Sequence, residues 1–125
     1  KDVFTLERAT DAREIHIVSD YIEAGGLIRY PELTAVLIMT TDFLSDVRGL
    51  LGTVKLPIPF LGMMGSKAKI ASIYSKLREE GIPQEKLDPI YAPVGLQIDS
   101  DTPEEIAISV AAQILQERNV TGKFL

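Results

Sequence analysis

The stretch TAVLIMTTD, residues 34–42, decides the fold of this 125-residue chain. It contains five consecutive apolar residues, from Ala35 to Met39, and then ends abruptly in two threonines and an aspartate. An uninterrupted apolar run that ends in polar residues is typical of a central parallel strand covered on both faces. Asp42 is also placed to cap the helix that the apolar spacing predicts next, and Gly52 is expected to end that helix.

The alternation of strand and helix continues towards the C-terminus. IPFLGMMG, residues 58–65, predicts a second apolar strand, and SKAKIASIYSKLREEG directly after it predicts an amphipathic helix. In the last predicted helix, Thr102 as N-cap, Pro103 at the first position and Glu105 three residues after the cap form a capping box. The apolar residues of that helix predict its buried face: Ile106, Ala107, Val110, Ala111, Ile114 and Leu115.

A further strand is predicted upstream, because REIHIVSD at residues 13–20 alternates and is rich in β-branched side chains. Strands that alternate with helices form the α/β pattern, in which right-handed connections join parallel strands. The length of 125 residues is that of one domain. We therefore expect a single α/β domain with helices on both faces of a parallel sheet.

Composition excludes several classes of function. The net charge of −5 argues against a nucleic-acid surface, which draws its affinity from clustered lysine and arginine. No apolar run approaches the roughly 18 residues that a membrane helix requires, and no signal peptide is visible. The absence of cysteine excludes disulfides, thiol catalysis and cysteine-bound metal, and a single histidine argues against a histidine-rich metal site. Neither nucleic acid nor a membrane is an expected partner.

Two stretches occupy the carboxyl ends of the predicted strands, where open parallel sheets bind ligands: residues 40–42 and residues 62–67. In the second stretch Gly65 allows a sharp turn, and the following helix begins with unpaired N–H groups beside Ser66 and Lys67. Such a helix start suits a phosphate. The alternative is that the two glycines only permit close packing of helix and strand, and that Ser66 is a plain N-cap.

The remaining polar residues of these stretches also allow two interpretations. Thr40, Thr41 and Asp42 either bind a ligand hydroxyl or a partner group, or serve as a helix cap and its neighbours. Lys67 and Lys69 are expected on a solvated helix face, with Lys67 close enough to the turn to assist an anion. GMMGSK is neither a Walker loop nor a full dinucleotide fingerprint, and no nucleophile–base pair or catalytic pair of carboxylates is recognisable. The sequence predicts a binding site without catalytic groups.

The segment FLGMMGSKAKI, followed by LREEGIPQEKLDPIYAPVGLQIDSDTPEEIAISVAAQIL, resembles the Rossmann-type C-terminal domain of the XdhC/CoxI family. These are accessory proteins of xanthine dehydrogenase and related molybdenum hydroxylases. AVLIMTTDFLSD is similar to the strand that precedes those motifs, so the resemblance covers about residues 34 to 119. It implies a Rossmann-like three-layer parallel sheet that lacks its first βαβ portion, with residues 1–125 as the C-terminal part of the domain. A sheet without its first strand leaves an unpaired apolar edge, which favours self-association or strand exchange.

The resemblance implies a non-catalytic role: holding the molybdenum cofactor, protecting it during sulfuration and passing it to the apo-enzyme. It also implies subunits of a xanthine dehydrogenase-type enzyme as partners, a homodimer, and a cytoplasmic location. An NAD(P)-binding oxidoreductase domain and a purely structural interaction domain are the alternatives, because Rossmann-like sheets host several functions. Glu105 also matches a family position. The positions predicted to bind the cofactor are Thr41, Asp42, Gly62, Gly65, Ser66, Lys67, Lys69, Pro93 and Gly95.

Overall fold

The computed structural model describes residues 11–122, and these form short strands alternating with helices. In chain order the elements are the 3-10 helices Tyr21–Leu27 and Pro31–Leu33, strand β1 (Ala35–Ile38), helix α1 (Phe43–Thr53), strand β2 (Phe60–Met63), and helices α2 (Lys67–Glu79), α3 (Gln84–Leu87) and α4 (Pro103–Thr121). The predicted alternation is confirmed from residue 35 onwards, with strands shorter than their apolar patterns. The strand predicted at residues 13–20 is wrong. Its apolar side chains have no core to face, and Ile17 is 85% exposed.

The sheet is parallel, with β2 at its centre. Residues 35–38 of β1 pair in order with residues 60–63 of β2. On the other side of β2, Tyr91 forms an isolated parallel bridge to Gly62, and its amide donates to the Leu61 carbonyl oxygen at 2.9 Å. Within the described residues, β1 is therefore an edge strand of the sheet.

Side chains leave the two faces of the sheet alternately and enter two separate cores. One core lies under α1 and α2, where Ile38 and Met63 pack with residues of both helices. The other lies under α4, where Phe60 packs with Val94 and Val110. Helices on both faces of one parallel sheet confirm the predicted three-layer α/β arrangement.

Gly52 does not end α1, contrary to the sequence-based expectation. The helix continues to Thr53, and the amide of Val54 still donates to the Leu50 carbonyl oxygen at 2.8 Å. A Cβ atom on Gly52 would lie 2.5 Å from the carbonyl oxygen of Ile22. The glycine is thus required because the 3-10 helix before β1 packs directly against the backbone of α1.

Helix α4 begins with a variant of the predicted capping box, in which Glu105 accepts from the residue before the cap instead of from the cap itself. The Thr102 hydroxyl accepts from the Glu105 amide at 3.1 Å, and the Glu105 carboxylate accepts from the Asp101 amide at 2.7 Å. Its buried face is narrower than predicted, since Ala107, Ala111 and Leu115 are exposed while Ile106, Val110 and Ile114 pack towards the sheet. None of the helices between residues 11 and 122 is long and apolar enough to cross a bilayer.

Candidate functional site

A cavity of about 520 Å³ opens beyond the carboxyl end of β2. This is the edge at which open parallel sheets bind ligands, and the volume falls in the range of roughly 300–1,000 Å³ typical of small-molecule sites. Three predicted site residues, Gly65, Pro93 and Gly95, lie in its wall. Among the described residues that line it, Asp99 is the only ionisable one. The complete wall consists of Met64, Gly65, Pro93, Val94, Gly95, Leu96, Gln97, Asp99, Ser100, Ile106 and Ser109.

The turn from β2 to α2 leaves backbone donors without partners. Gly65 has a φ of +149°, a conformation that favours glycine, and Ser66 caps α2 by accepting from the Lys69 amide at 3.2 Å. Within residues 11–122 the four amides of residues 65–68 donate no hydrogen bond. The amide of Met64 is already bonded to the Ile38 carbonyl oxygen at 3.2 Å, so the unpaired donors begin at Gly65 rather than at Gly62.

Gly62 serves the packing of the sheet. It is buried on the α4 face, where a Cβ atom would lie 2.7 Å from Cγ2 of Val94 and 3.2 Å from Cδ2 of Leu37. It does not line the cavity. The packing alternative for the glycine pair therefore describes Gly62, whereas Gly65 combines a special backbone conformation with a place in the cavity wall.

Lys69 is engaged by a buried carboxylate that sequence reasoning missed. Its ammonium lies 2.9 Å from Oδ2 of Asp46, whose side chain is only 1% exposed, although the contact lacks the alignment of a hydrogen bond. The other oxygen, Oδ1, accepts from the amide and hydroxyl of Thr40 at 3.1 and 2.7 Å. The signal in the sequence was an aspartate beside Val47 on the apolar side of α1. The pair ties the end of β1 to both helices.

Ser66 and Lys67 are exposed at the start of α2. The hydroxyl oxygen of Ser66 accepts from the helix backbone, whereas its own amide has no acceptor among residues 11–122. Because the charge of Lys69 is balanced by Asp46, Lys67 is the exposed ammonium of this turn. An anion here would be held by amide dipoles assisted by one lysine.

Thr41 and Asp42 lie at the end of β1, and neither lines the 520 Å³ cavity. Asp42 caps α1, with its two carboxylate oxygens accepting from the amide of Ser45 at 2.8 Å and from its hydroxyl at 3.1 Å. These bonds, the amide bond above all, hold the pKa of Asp42 below its usual value of 3.8. Thr41 is exposed and lies at a different cavity along β1.

The turn that carries Pro93 and Gly95 is fastened to α4. The Ala92–Pro93 bond is cis, and Gly95 has a φ of +111°. The Gly95 amide donates to Oε1 of Gln113 at 2.7 Å, and a Cβ atom on Gly95 would lie 2.6 Å from the Ser109 hydroxyl. Sequence reasoning missed Gln113 and Ser109. Their signal was two polar residues one helical turn apart in an otherwise apolar stretch.

The described residues of the site combine backbone donors with one carboxylate. The site offers the unpaired amides at the start of α2 and, in the cavity wall, Asp99, whose carboxylate is able to accept hydrogen bonds. Across the described part of the chain, no group of three or more His, Asp or Glu side chains could hold a metal ion. A ligand with a negative end and a neutral, hydrogen-bond-donating end fits this polarity.

The parallel sheet, its helices on both faces and the cavity at its carboxyl edge define a Rossmann-like α/β domain. A family model described as the XdhC Rossmann domain matches residues 2–114. The chain belongs to this family, and the resemblance seen in the motifs is confirmed.

Two relatives show the extent of the likeness. The uncharacterized protein YqeB of Escherichia coli K12 is 42% identical over 84 residues, which are 67% of this chain and 15% of that protein. A crystal structure described as a xanthine dehydrogenase from Bacillus halodurans superposes with a TM-score of 0.72 at 33% identity, covering 90% of this chain and 31% of the other. The chain thus spans less than a third of either relative.

Proposed function

We propose that this chain is the cofactor-holding part of an accessory protein for a xanthine dehydrogenase-type molybdenum hydroxylase. In this role it binds the molybdenum cofactor and passes it to the enzyme subunits without catalysing a reaction. Membership of the XdhC Rossmann family supports the proposal, as does the similarity to a structure described as a xanthine dehydrogenase. The homodimer and the cytoplasmic location expected from the resemblance belong to the same proposal.

The observation that carries the proposal is the cavity of about 520 Å³ beside the unpaired amides of residues 65–68. Molybdopterin has a terminal phosphate and a flat heterocycle rich in N–H groups. The amides would hold the phosphate, and Gly65 leaves room for it to approach the backbone. The carboxylate of Asp99 would accept hydrogen bonds from the heterocycle. The cofactor carries the molybdenum that the recipient enzyme uses, and the residues here would bind and shield it.

The electrostatics allow one anionic group and disfavour a second. No basic side chain of residues 11–122 lines the cavity, and the ammonium of Lys69 is balanced by Asp46 at 2.9 Å. Attraction for an anion therefore comes from the helix start and from Lys67. A second negative group placed across the cavity would meet Asp99 and be repelled.

The test uses two substitutions at the N-cap of α2. Aspartate and asparagine both cap helices as well as serine, but only aspartate adds a negative charge where the phosphate would lie. The protein is passed anaerobically through gel filtration with cofactor released from a molybdoenzyme. Molybdenum content and the fluorescence of the oxidised pterin are measured in the protein fraction. We expect co-elution with the wild type and with Ser66→Asn, and loss of it with Ser66→Asp.

A wild type that carries no pterin in this experiment contradicts cofactor binding. Thermal stabilisation by NAD(H) or NADP(H), without pterin binding, would support the oxidoreductase alternative. Capture of xanthine dehydrogenase subunits without either ligand would support the structural interaction domain. Thr102→Asp, which places the same charge at the start of α4, is the control for a general effect of added charge, and it should leave co-elution unchanged.

A further inference from the structure

Helix α1 buries a carboxylate whose two oxygens have different partners. Oδ1 of Asp46 accepts from the amide and the hydroxyl of Thr40 at 3.1 and 2.7 Å. Oδ2 is buried without an aligned hydrogen bond from any of residues 11–122, and the ammonium of Lys69 lies 2.9 Å from it. An amide side chain would serve Thr40 as an acceptor without the cost of burying a charge. The negative charge of Asp46 therefore acts on Lys69.

The side chain of Lys69 passes beside the glycine that lines the cavity. A Cβ atom on Gly65 would lie 3.9 Å from Cβ of Lys69 and 3.3 Å from its Cδ, so the stem of the lysine runs along this glycine. Gly65 lines the 520 Å³ cavity, whereas Lys69 does not. The lysine side chain is 32% exposed, so it is free to turn at its outer end. Rotation about the outer bonds of this flexible stem would carry the ammonium from Asp46 towards the Gly65 amide.

Two carboxylates at the start of α1 attract the ammonium of Lys69 to that side of the turn. Asp46 is in direct contact with it, and Asp42 lies near enough for an electrostatic effect. Hydrogen bonds from Ser45 are the main cause of the lowered pKa of Asp42, and the charge of Lys69 lowers that pKa further by a smaller amount. A lysine that faces two carboxylates adds no net positive charge beside the amides of residues 65–68.

We propose that Asp46 sets the ligand selectivity of the turn from β2 to α2 by holding the ammonium of Lys69 away from the amides of residues 65–68. In this arrangement the turn binds one phosphoryl group and discriminates against a diphosphate. Lys67 is then the one lysine of the turn left to balance a ligand's charge, and a second phosphoryl group has no cation of its own. Asp46 is thus a positioning residue that acts through Lys69. The inference rests on the proposed function in one respect, because it requires that this turn bind a phosphoryl group.

Asp46→Asn tests the inference, because asparagine keeps an oxygen for Thr40 and replaces the negative charge beside Lys69 with a neutral amide. The probes are inorganic phosphate and pyrophosphate. Binding is followed by the shifts of the backbone amide signals of residues 65–68 in two-dimensional NMR spectra. We expect the wild type to bind pyrophosphate no more tightly than phosphate. Asp46→Asn should bind pyrophosphate about tenfold more tightly than the wild type does, because the released ammonium adds a charge-assisted hydrogen bond.

Two further variants separate the position of Lys69 from a general effect of charge or of damage to the fold. Asp46→Asn combined with Lys69→Gln should restore the wild-type preference, because the gain depends on the released ammonium. Glu80→Gln is the matched control, since it removes one negative charge from a lysine pair at the far end of α2, where Lys76 lies 3.8 Å from Glu80. It should leave both affinities unchanged. A gain that survives the loss of Lys69, or that Glu80→Gln reproduces, would overturn the proposal.

The wild type provides a second measurement that does not depend on the folding of Asp46→Asn. When phosphate is added, the amide signals of residues 65–68 should shift, and the side-chain signals of Lys69 should stay in place. A wild-type Lys69 that moves onto the phosphate, or an unchanged preference in a folded Asp46→Asn, would overturn this inference and leave the proposed function standing. Amide signals that respond to neither anion would overturn both.

Discussion

Two turns at the same edge of the sheet, one after β1 and one after β2, differ in how their polar groups are satisfied. After β1, the Thr40 amide and hydroxyl donate to Asp46, and the carboxylate of Asp42 caps α1 through Ser45. After β2, the four amides of residues 65–68 have no acceptor within the described residues. Both turns follow an apolar strand and lead into a helix.

The difference comes from the side chains that follow each strand. A carboxylate accepts hydrogen bonds, so an aspartate in the first turn of a helix satisfies the donors around it. Glycine and lysine offer no acceptor, and the single hydroxyl of Ser66 satisfies only the Lys69 amide. The capacity for an anion therefore belongs to the turn that lacks acidic residues.

Asp46→Ala should cause the largest loss, because it leaves the Thr40 amide without its acceptor and Lys69 without its counter-ion. Breaking a buried ion pair costs about 3 kcal/mol, measurable as the free energy of unfolding in urea. Asp46→Asn keeps an acceptor for Thr40 and should lose clearly less. Equal losses for the two variants would show that the charge, rather than the hydrogen bonds, dominates at the first turn.

Gly62→Ala should cost about 2 kcal/mol, because its Cβ atom overlaps the stiff side chain of Val94. Gly26→Ala, where a Cβ atom meets nothing within 4 Å, is the control and should change the stability by less than about 0.5 kcal/mol. Adding Val94→Ala should make the Gly62 substitution nearly neutral relative to Val94→Ala alone. If the cost persists in that background, the overlap with Val94 is not its cause.

Ser66→Ala should cost about 1 kcal/mol by removing the cap of α2, and Thr102→Ala should do the same at α4. Ser66→Asn retains a capping side chain and should match the wild type in thermal unfolding. Comparing Ser66→Ala with Ser66→Asn separates the capping of α2 from ligand binding at the β2 turn. The comparison is needed because ligand binding by the amides depends on the orientation of α2. A loss with asparagine as large as with alanine would argue that the hydroxyl does more than cap.

Asp42 should contribute a small dependence of stability on pH. Because its folded-state pKa lies below 3.8, its stabilisation is complete above that value and is lost as the pH falls through the folded pKa. Unfolding in urea of the wild type and of Asp42→Asn, compared across the acid range, should show the difference shrinking below pH 3.8. The comparison with the variant is needed because Glu14 and Asp20 also have lowered pKa values. A difference that grows with acidity would reverse the assigned sign.

Features encoded over a few neighbouring residues were predictable from the sequence. Asp42 and Thr102 were predicted as caps, a cap was one of the two interpretations of Ser66, and the two apolar runs became parallel strands. Contacts between distant residues were not: Asp46 with Lys69, and Gln113 with Gly95, join elements whose relative positions no local pattern specifies. The predicted end of α1 at Gly52 was wrong for the same reason. This glycine is required because the backbone of Ile22, far away in the sequence, packs against it.

An alternating side-chain pattern also led to a wrong strand prediction, because the segment has no neighbouring strand among the described residues. The strand predicted for residues 13–20 had the right side-chain pattern, yet a strand forms only when a neighbour supplies hydrogen bonds and a core. Of the predicted cofactor positions, the structure brings Gly65, Pro93 and Gly95 into one cavity wall and places Ser66 and Lys67 at the adjacent helix start. Thr41, Asp42, Gly62 and Lys69 lie outside that wall. Whether these residues touch a cofactor stays a prediction.

The pairing of Lys69 with Asp46 has a consequence for how a ligand would leave. Dissolved salt strongly screens the interactions between exposed charges. It weakens the short-range interactions of fixed amide dipoles much less. With one ammonium of the α2 turn already neutralised, an anion held there should lose little affinity as sodium chloride is raised. Under the proposed function, a cofactor bound mainly by amides would pass readily to a second protein that makes slightly better contacts with it.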